Sequence, residues 1–260
     1  MLETSTVNKV YAEYVDYTNK YSRYVYELRQ KSDLSKQKEF IELRKMPESV
    51  IEQVGLFHIG ETKEMLLPKY LDYLEDFGVI SNGIPIYNRR YVMPIYDTRG
   101  RVLNLVGYRP DAKERYMYAT GNWYLRRGTL YGLENLNKAY LQGYAILTEG
   151  ITDTIHLRGY GNIAFSTCGT YISPHTRDML DRFRYGVICF PDRDKAGFKA
   201  LTSWKFKSQV VIYPNINYKD IDEMLRDGKD NVQLVLDMIE CAKSYLMGER
   251  LQGNNVEINL

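Results

Sequence analysis

From residue 144 onward the chain repeats one arrangement: a short apolar run breaks off into polar, mostly acidic residues, and a stretch of helical composition follows. Ala145-Ile146-Leu147-Thr148 ends in Glu149-Gly150, Gly186 to Phe190 is followed by Asp192-Arg193-Asp194, and Gln209 to Tyr213 by Asp220-Ile221-Asp222. A fourth run, Asn162 to Ser166, ends in Thr167-Cys168-Gly169-Thr170. Near-continuous apolar strands alternating with helices predict an α/β sheet of mainly parallel strands flanked by helices. The helices are expected to begin near Ile151, Pro174 and Lys195, with a last one running from about Asp220 to Leu246. In an open sheet of this kind, ligands sit beyond the carboxyl ends of the strands, where these acids lie.

Glu149, Asp192 and Asp194 are therefore the first candidates for chemistry, with Asp153, Asp220 and Asp222 completing the set. Asp153 stands four residues after Glu149, a spacing that turns both carboxylates toward one crevice if the second opens a helix. Six carboxylates on one edge repel each other unless cations neutralise them, and hard oxygen donors suit two or more Mg²⁺ or Mn²⁺ ions. Such ions activate an attacking oxygen and stabilise a phosphoryl group in transfer. Taken singly, an Asp near a helix start reads equally as a cap, and Asp192-Arg193-Asp194 as a surface turn. Recurrence at three strand ends is what points to a site.

The upstream half is organised differently, so that the whole chain reads as α+β. Residues 1–80 show helical periodicity, with Val7, Val10, Tyr11, Tyr14 and Tyr17 at three- and four-residue steps. A break is expected over 32–38 and a turn at Asn82-Gly83-Ile84-Pro85. Tyr91 to Tyr96 and Val102 to Tyr108 then read as strands joined by the hairpin turn Asp97-Thr98-Arg99-Gly100, within a β-rich segment. The resulting division is 1–80 helical, 81–143 basic and β-rich, 144–230 carboxylate-bearing, and 231–260 a helix and tail.

The net charge of +2 argues against a polyanion-binding protein until it is resolved along the chain. Residues 89–127 hold nine basic side chains against three acidic ones, a local charge of +6, interleaved with tyrosines and Trp123. Cations for phosphates and aromatic faces for bases are what a single-strand groove requires; a solvated hairpin face is the plainer alternative. Cys168, Cys189 and Cys241 are too few and too scattered for a disulfide framework or a zinc ribbon, and read as buried small hydrophobes. His156 reads as a structural histidine or a supporting group beside the acids. No phosphate-binding glycine fingerprint is present, which excludes an ATP-driven helicase, and no apolar stretch approaches membrane-spanning length, so a cytoplasmic location is expected.

Glu149-Gly150-Ile151-Thr152-Asp153, Ser166-Thr167-Cys168-Gly169-Thr170, Asp192-Arg193-Asp194-Lys195-Ala196-Gly197 and Lys219-Asp220-Ile221-Asp222-Glu223 together resemble the Toprim domain in the form found in DnaG-like, bacterial-type primases. Upstream, Arg89 to Val102, Gly107-Tyr108-Arg109, Arg115-Tyr116 and Arg126-Arg127-Gly128 are similar to the subdomain that precedes Toprim in those enzymes. The resemblance implies synthesis of short RNA primers on single-stranded DNA from ribonucleoside triphosphates. It implies that Arg109, Arg115, Tyr116 and Arg127 hold template or nucleotide phosphates, with Arg89 and Arg90 of the same basic stripe as further candidates for binding. Such primases also carry a zinc-binding module and a helicase-binding domain, for which this chain has neither a Cys/His cluster nor more than about thirty residues after the last acidic motif. A replicative helicase and a separate template-selecting protein are the expected partners, and a virus or mobile element, acting in its host's cytoplasm, an expected source. A Toprim nuclease and a non-catalytic DNA-binding accessory of replication or recombination are the alternatives.

Overall fold

The structure is a computed structural model that describes residues 4–120, 129–249 and 256–258. The chain divides into two compact units, Met1–Leu43 with Ile51–Tyr124, and Arg44–Val50 with Leu125–Leu260.

The first unit carries α1 (Thr4–Lys31), α2 (Leu34–Arg44) and, where the units meet in sequence, α3 (Val50–Val54). Its strands are β1 (Phe57–Ile59), the small hairpin β2 (Ile80–Ser81) and β3 (Ile84–Pro85), then β4 (Arg90–Tyr96), β5 (Val102–Tyr108) and β6 (Tyr116–Tyr118). β1, β4, β5 and β6 form an antiparallel sheet in that order. Tyr17, Tyr21, Tyr24, Val25 and Leu28 make one buried stripe of α1 that packs with Phe57, Val92 and Leu105. The Tyr21 ring stacks on Phe77 with centroids 4.4 Å apart. Many of the chain's 24 tyrosines are thus core filling. The outer positions of the expected stripe, Val7, Val10 and Tyr11, face solvent.

Two details of the upstream reading change. The α-helices of this region end at Val54, short 3₁₀ helices follow at Thr62–Met65 and Pro68–Tyr73, and Phe57–Ile59 pairs with β4 through Phe57 opposite Val92. Three residues are too few for a period of two to show in sequence, and pairing rather than propensity makes them a strand. The Asp97 turn closes as expected: its carboxylate accepts from the amides of Arg99 and Arg101, and β4 and β5 flank it.

The second unit contains α4 (Leu136–Gln142), β7 (Tyr144–Thr148), α5 (Ile151–Gly159), β8 (Ala164–Ser166), α6 (Pro174–Leu180), β9 (Gly186–Phe190), α7 (Lys195–Ser203), β10 (Gln209–Ile212), α8 (Ile221–Arg226), α9 (Lys229–Glu249) and β11 (Val256–Ile258). The sheet is parallel throughout, in the order β11-β10-β9-β7-β8. Alternate residues serve opposite faces, with Ala145, Leu147, Val187, Cys189 and Val211 in one core and Ile146, Ile188, Phe190, Val210 and Ile212 in the other. The last helix is two helices, because Gly228 at φ +131° takes a conformation that a continuing helix excludes. Of the three cysteines only Cys189 is buried; Cys168 is half-buried in a left-handed turn (φ +55°), and Cys241 lies on the solvent side of α9. Among the described residues no helix is long and apolar enough to cross a membrane.

Candidate active site

The order β9-β7-β8 places the chain's two successive crossovers on opposite sides of β7, so a crevice opens between the carboxyl ends of β7 and β9. Glu149 leaves the first of these strands and Asp192 the second. The loop after β8 fixes Glu149 from behind, since Ser166 Oγ and the Gly169 amide donate to its carbonyl at 2.8 and 3.2 Å. Its side chain is half-buried, and Oε2 is shielded from solvent with no hydrogen-bond partner. Burial, then the charges of Asp192 and Asp194, push the carboxyl pKa up to about 7, against an opposing pull from Lys219.

Asp192 and Asp194 share one cation. The Lys219 ammonium lies 3.0 Å from Asp192 Oδ2 and 3.3 Å from Asp194 Oδ2. Burial, aided by the Asp194 charge, raises the Asp192 pKa despite that ammonium. Asp194 is the amino-terminal cap of α7, accepting from the amides of Ala196 and Gly197 at 2.8 and 2.9 Å, and these bonds, with Lys219, hold its pKa low. Gly197 is required there: a Cβ would stand 2.0 Å from the Asp192 carbonyl oxygen, so only glycine lets α7 begin this close to the acidic turn.

Asp153 and Asp220 lie deeper along the same edge. The Asp153 carboxylate presses on Gly150, where a Cβ would meet Oδ2 at 2.3 Å, and its Oδ1 accepts from the Asp222 amide at 2.9 Å. Burial, then the charges of Asp220, Asp222 and Asp192, raise its pKa well above the carboxylate range. Asp220 caps α8 by accepting from the Glu223 amide at 2.7 Å, and burial raises its pKa.

Asp222, expected among the metal ligands, is otherwise employed. Its side chain is 1% exposed; Oδ2 accepts from Arg44 and, at 2.9 Å, from Arg226 Nε, while Oδ1 lies 3.2 Å from His156 Nδ1. Burial opposes its charge, but the His156 hydrogen bond and the two guanidinium groups prevail and lower its pKa. Both oxygens are engaged by side chains of the protein, so Asp222 serves to anchor this edge.

Among the described residues no three His, Cys, Asp or Glu side chains already stand together as a metal cluster. The chemistry of the donors nevertheless fits a divalent ion at Glu149, Asp192 and Asp194. The buried Glu149 Oε2 is orphaned, and among the described residues Lys219 is the cation that pairs with Asp192 and Asp194 and lowers the Glu149 pKa.

In the first unit the basic stripe is heterogeneous. Arg89 (φ +52°) and Arg115 are exposed. Arg109 is in a two-bond pair with Asp111, at 2.9 and 3.0 Å. Arg90 is buried, with its guanidinium donating to the carbonyls of Glu114 and Arg115 at 3.1 Å, so it ties down the loop that presents Arg115 instead of facing solvent. Arg101 pairs with Asp97 at 2.7 Å, and Arg99 donates to Tyr11 on α1 at 2.8 Å. Tyr91 and Tyr108 are core residues, and half-buried Tyr116 leans on Tyr108 with centroids 5.0 Å apart. Trp123, Tyr124, Arg126 and Arg127 lie outside the described residues.

No family model matches the chain. Over 189 residues it is 27% identical to the DNA primase of Clostridium acetobutylicum, covering 68% of this chain and 31% of that protein. Over 181 residues it is 30% identical to the DNA primase of Aquifex aeolicus, covering 63% and 36%. It thus spans about a third of the length of these curated relatives. The solved zinc-binding and RNA polymerase domains of the Aquifex aeolicus primase superpose with a TM-score of 0.68 at 23% identity, covering 83% of this chain and 60% of that one. The DnaG catalytic domain bound to single-stranded DNA gives 0.66 at 20% identity, covering 88% and 83%. The chain carries the fold of the DnaG primase catalytic core.

Three residues of this edge leave little signal in the sequence. Lys219 was visible beside Asp220, but nothing in the string shows that its ammonium turns back to Asp192. Arg226 follows Asp222 by one helical turn, a spacing that signals a pair only once α8 is known. Arg44 lies 178 residues from its partner and leaves no trace in sequence.

Proposed function

We propose that the chain is the catalytic core of a DNA primase that makes short RNA primers on single-stranded DNA by metal-dependent nucleotidyl transfer. The observation that carries this reading is the Glu149 carboxyl, with its buried Oε2 unpartnered, beside Asp192 and Asp194 at the strand-order reversal of a DnaG-type fold. Glu149, Asp192 and Asp194 would hold Mg²⁺ or Mn²⁺, which when bound stabilises charge on a phosphoryl group and acidifies a nearby hydroxyl. Asp153 and Asp220 would complete the cluster deeper along the edge, while Asp222 keeps this edge in place.

In the reaction, the 3′-hydroxyl oxygen of one ribonucleotide attacks the α-phosphorus of the next, the P–O bond to the β-phosphate breaks, and pyrophosphate leaves. Glu149 would also act as a base toward the attacking hydroxyl. Residues 81–143 would grip the template through Arg89, Arg109, Arg115, Tyr116 and Arg127, with Arg90 positioning the Arg115 loop. Residues 144–230 would perform the transfer, flanked by 1–80 and 231–260. That a primase catalytic domain of this fold is known bound to single-stranded DNA supports the choice of template. A replicative helicase and a template-selecting protein would supply recruitment and start-site choice, in the cytoplasm.

The test is incubation of the protein with labelled ribonucleoside triphosphates, Mg²⁺ or Mn²⁺ and single-stranded DNA. Extension products that disappear in Glu149→Gln, with template binding kept, are expected. Shortened template without extension would assign the site to a Toprim nuclease.

A further inference from the structure

We propose that Lys219 is an internal counter-ion that occupies the Asp192–Asp194 pair and must be displaced for a divalent cation to bind there. The inference rests on the assignment of these carboxylates as metal ligands and concerns how that site is loaded.

The geometry is that of a cation seated between two anions. The ammonium reaches both carboxylates, at 3.0 and 3.3 Å, and through space also draws down the pKa of Glu149. Among the described residues this one positive charge serves all three of the acids. Its backbone is bolted at both ends: the Lys219 carbonyl accepts from the Arg193 amide at 2.6 Å, and its amide donates to Glu223 Oε2 at 2.7 Å. The side chain, by contrast, is 55% exposed. A fixed Cα with a flexible, solvent-facing four-carbon stem lets the ammonium leave the pair without any movement of the loop.

Simultaneous occupation is excluded by charge and space. A divalent ion bound by Asp192 and Asp194 through inner oxygen contacts of about 2.1 Å would lie in the region the ammonium fills, with like charges only a few ångströms apart. Exchange therefore moves the ammonium outward while the ion moves in. Without the ion, Lys219 limits the repulsion among the three acids and keeps the crevice formed. With it, Lys219 sets a threshold concentration below which the site stays closed to metal.

The experiment measures Mn²⁺ binding to the full chain by calorimetry, without nucleotide or DNA, for the wild type, Lys219→Met, Lys219→Gln and the charge-preserving Lys219→Arg. Loss of one positive charge beside a doubly charged ion is expected to tighten Mn²⁺ binding about tenfold in both neutral variants. Lys219→Arg keeps the charge and can grip the carboxylates bidentately, so it should bind Mn²⁺ no more tightly than wild type. The melting temperature without metal should fall in the neutral variants, and its rise on adding Mn²⁺ should exceed that of wild type. Equal or weaker Mn²⁺ binding in Lys219→Met and Lys219→Gln, with wild-type binding measurable, overturns the counter-ion role and leaves the primase reading standing. Absence of Mn²⁺ binding in every form, at millimolar concentration, overturns both.

Discussion

Substituting Asp222 by asparagine separates two roles that a carboxylate in an acidic motif can play. If it ligates metal, Asp222→Asn loses the ion and keeps its stability; if it anchors the edge, the reverse holds. The side chain is 1% exposed and faces Arg44, Arg226 and His156. Removing one member of a buried charge pair costs about 3–5 kcal/mol, since the remaining charge is left uncompensated. Arg226 is 32% exposed and can turn to water, whereas Arg44, at 13%, cannot do so fully, which favours the lower end, about 3 kcal/mol. For a unit of this size that is a fall of about 10 °C in melting temperature. The Asp222 amide that supports Asp153 is retained in the variant, so Mn²⁺ affinity should change less than about threefold, roughly 0.6 kcal/mol. The folded-state pKa of Asp222 is lowered, so its contribution is complete above the ordinary carboxylate range and is lost as pH falls through the folded value. The difference between wild type and variant should accordingly close in acid. Calorimetric melts from pH 7 downward and Mn²⁺ titrations at neutral pH measure both quantities. An unchanged melting temperature together with abolished Mn²⁺ binding would refute the anchoring role.

Two further outcomes follow from the same structure. Because the folded-state pKa of Glu149 is raised to about 7, the folded chain keeps a proton that the unfolded chain has already released, and metal-free stability should decline as pH rises from about 4.5 through 7. Glu149→Gln should flatten that slope in melts run with EDTA; an unchanged slope would remove Glu149 as its cause. On the basic surface, Arg115→Ala should weaken single-stranded DNA binding and shallow its salt dependence by about 0.7 in the log–log slope. Arg90→Ala should instead cost about 1–3 kcal/mol of stability, because the Glu114 and Arg115 carbonyls lose their donor. Equal stability losses in the two variants would count against this division of labour.

Four strands of the parallel sheet, β7 to β10, were legible because they are buried on both faces, so burial alone spells an apolar run, as in Tyr144–Thr148 and Gly186–Phe190; β11, in the stretch expected to be a tail, was not. The Asp97 hairpin was legible because turn chemistry is local. β1 was not, since its three residues owe their conformation to a partner more than thirty positions away. The same distinction divides the site. Glu149, Asp192 and Asp194 could be read from their places at strand ends. The commitment of Asp222 to two arginines, and of Arg90 to backbone carbonyls, could not, because composition tells which residues carry charge and is silent on which charges are already spent.

Residues 44–50 belong to the second compact unit although the rest of that unit begins some eighty positions later. Arg44 contributes a counter-charge for Asp222 from this segment, and Pro47 and Val50 lie so near Gly159 that a Cβ there would collide with both. The carboxylate-bearing half is therefore not a cassette. A gene fragment starting after residue 125 would encode every acid of the motifs and still leave out one of the cations that one of them was folded around. On the ribosome the order is favourable, since Arg44 emerges long before Asp222 and waits for it. A recombination event within the intervening stretch would exchange the first unit's sheet while the two ends of the second stayed matched.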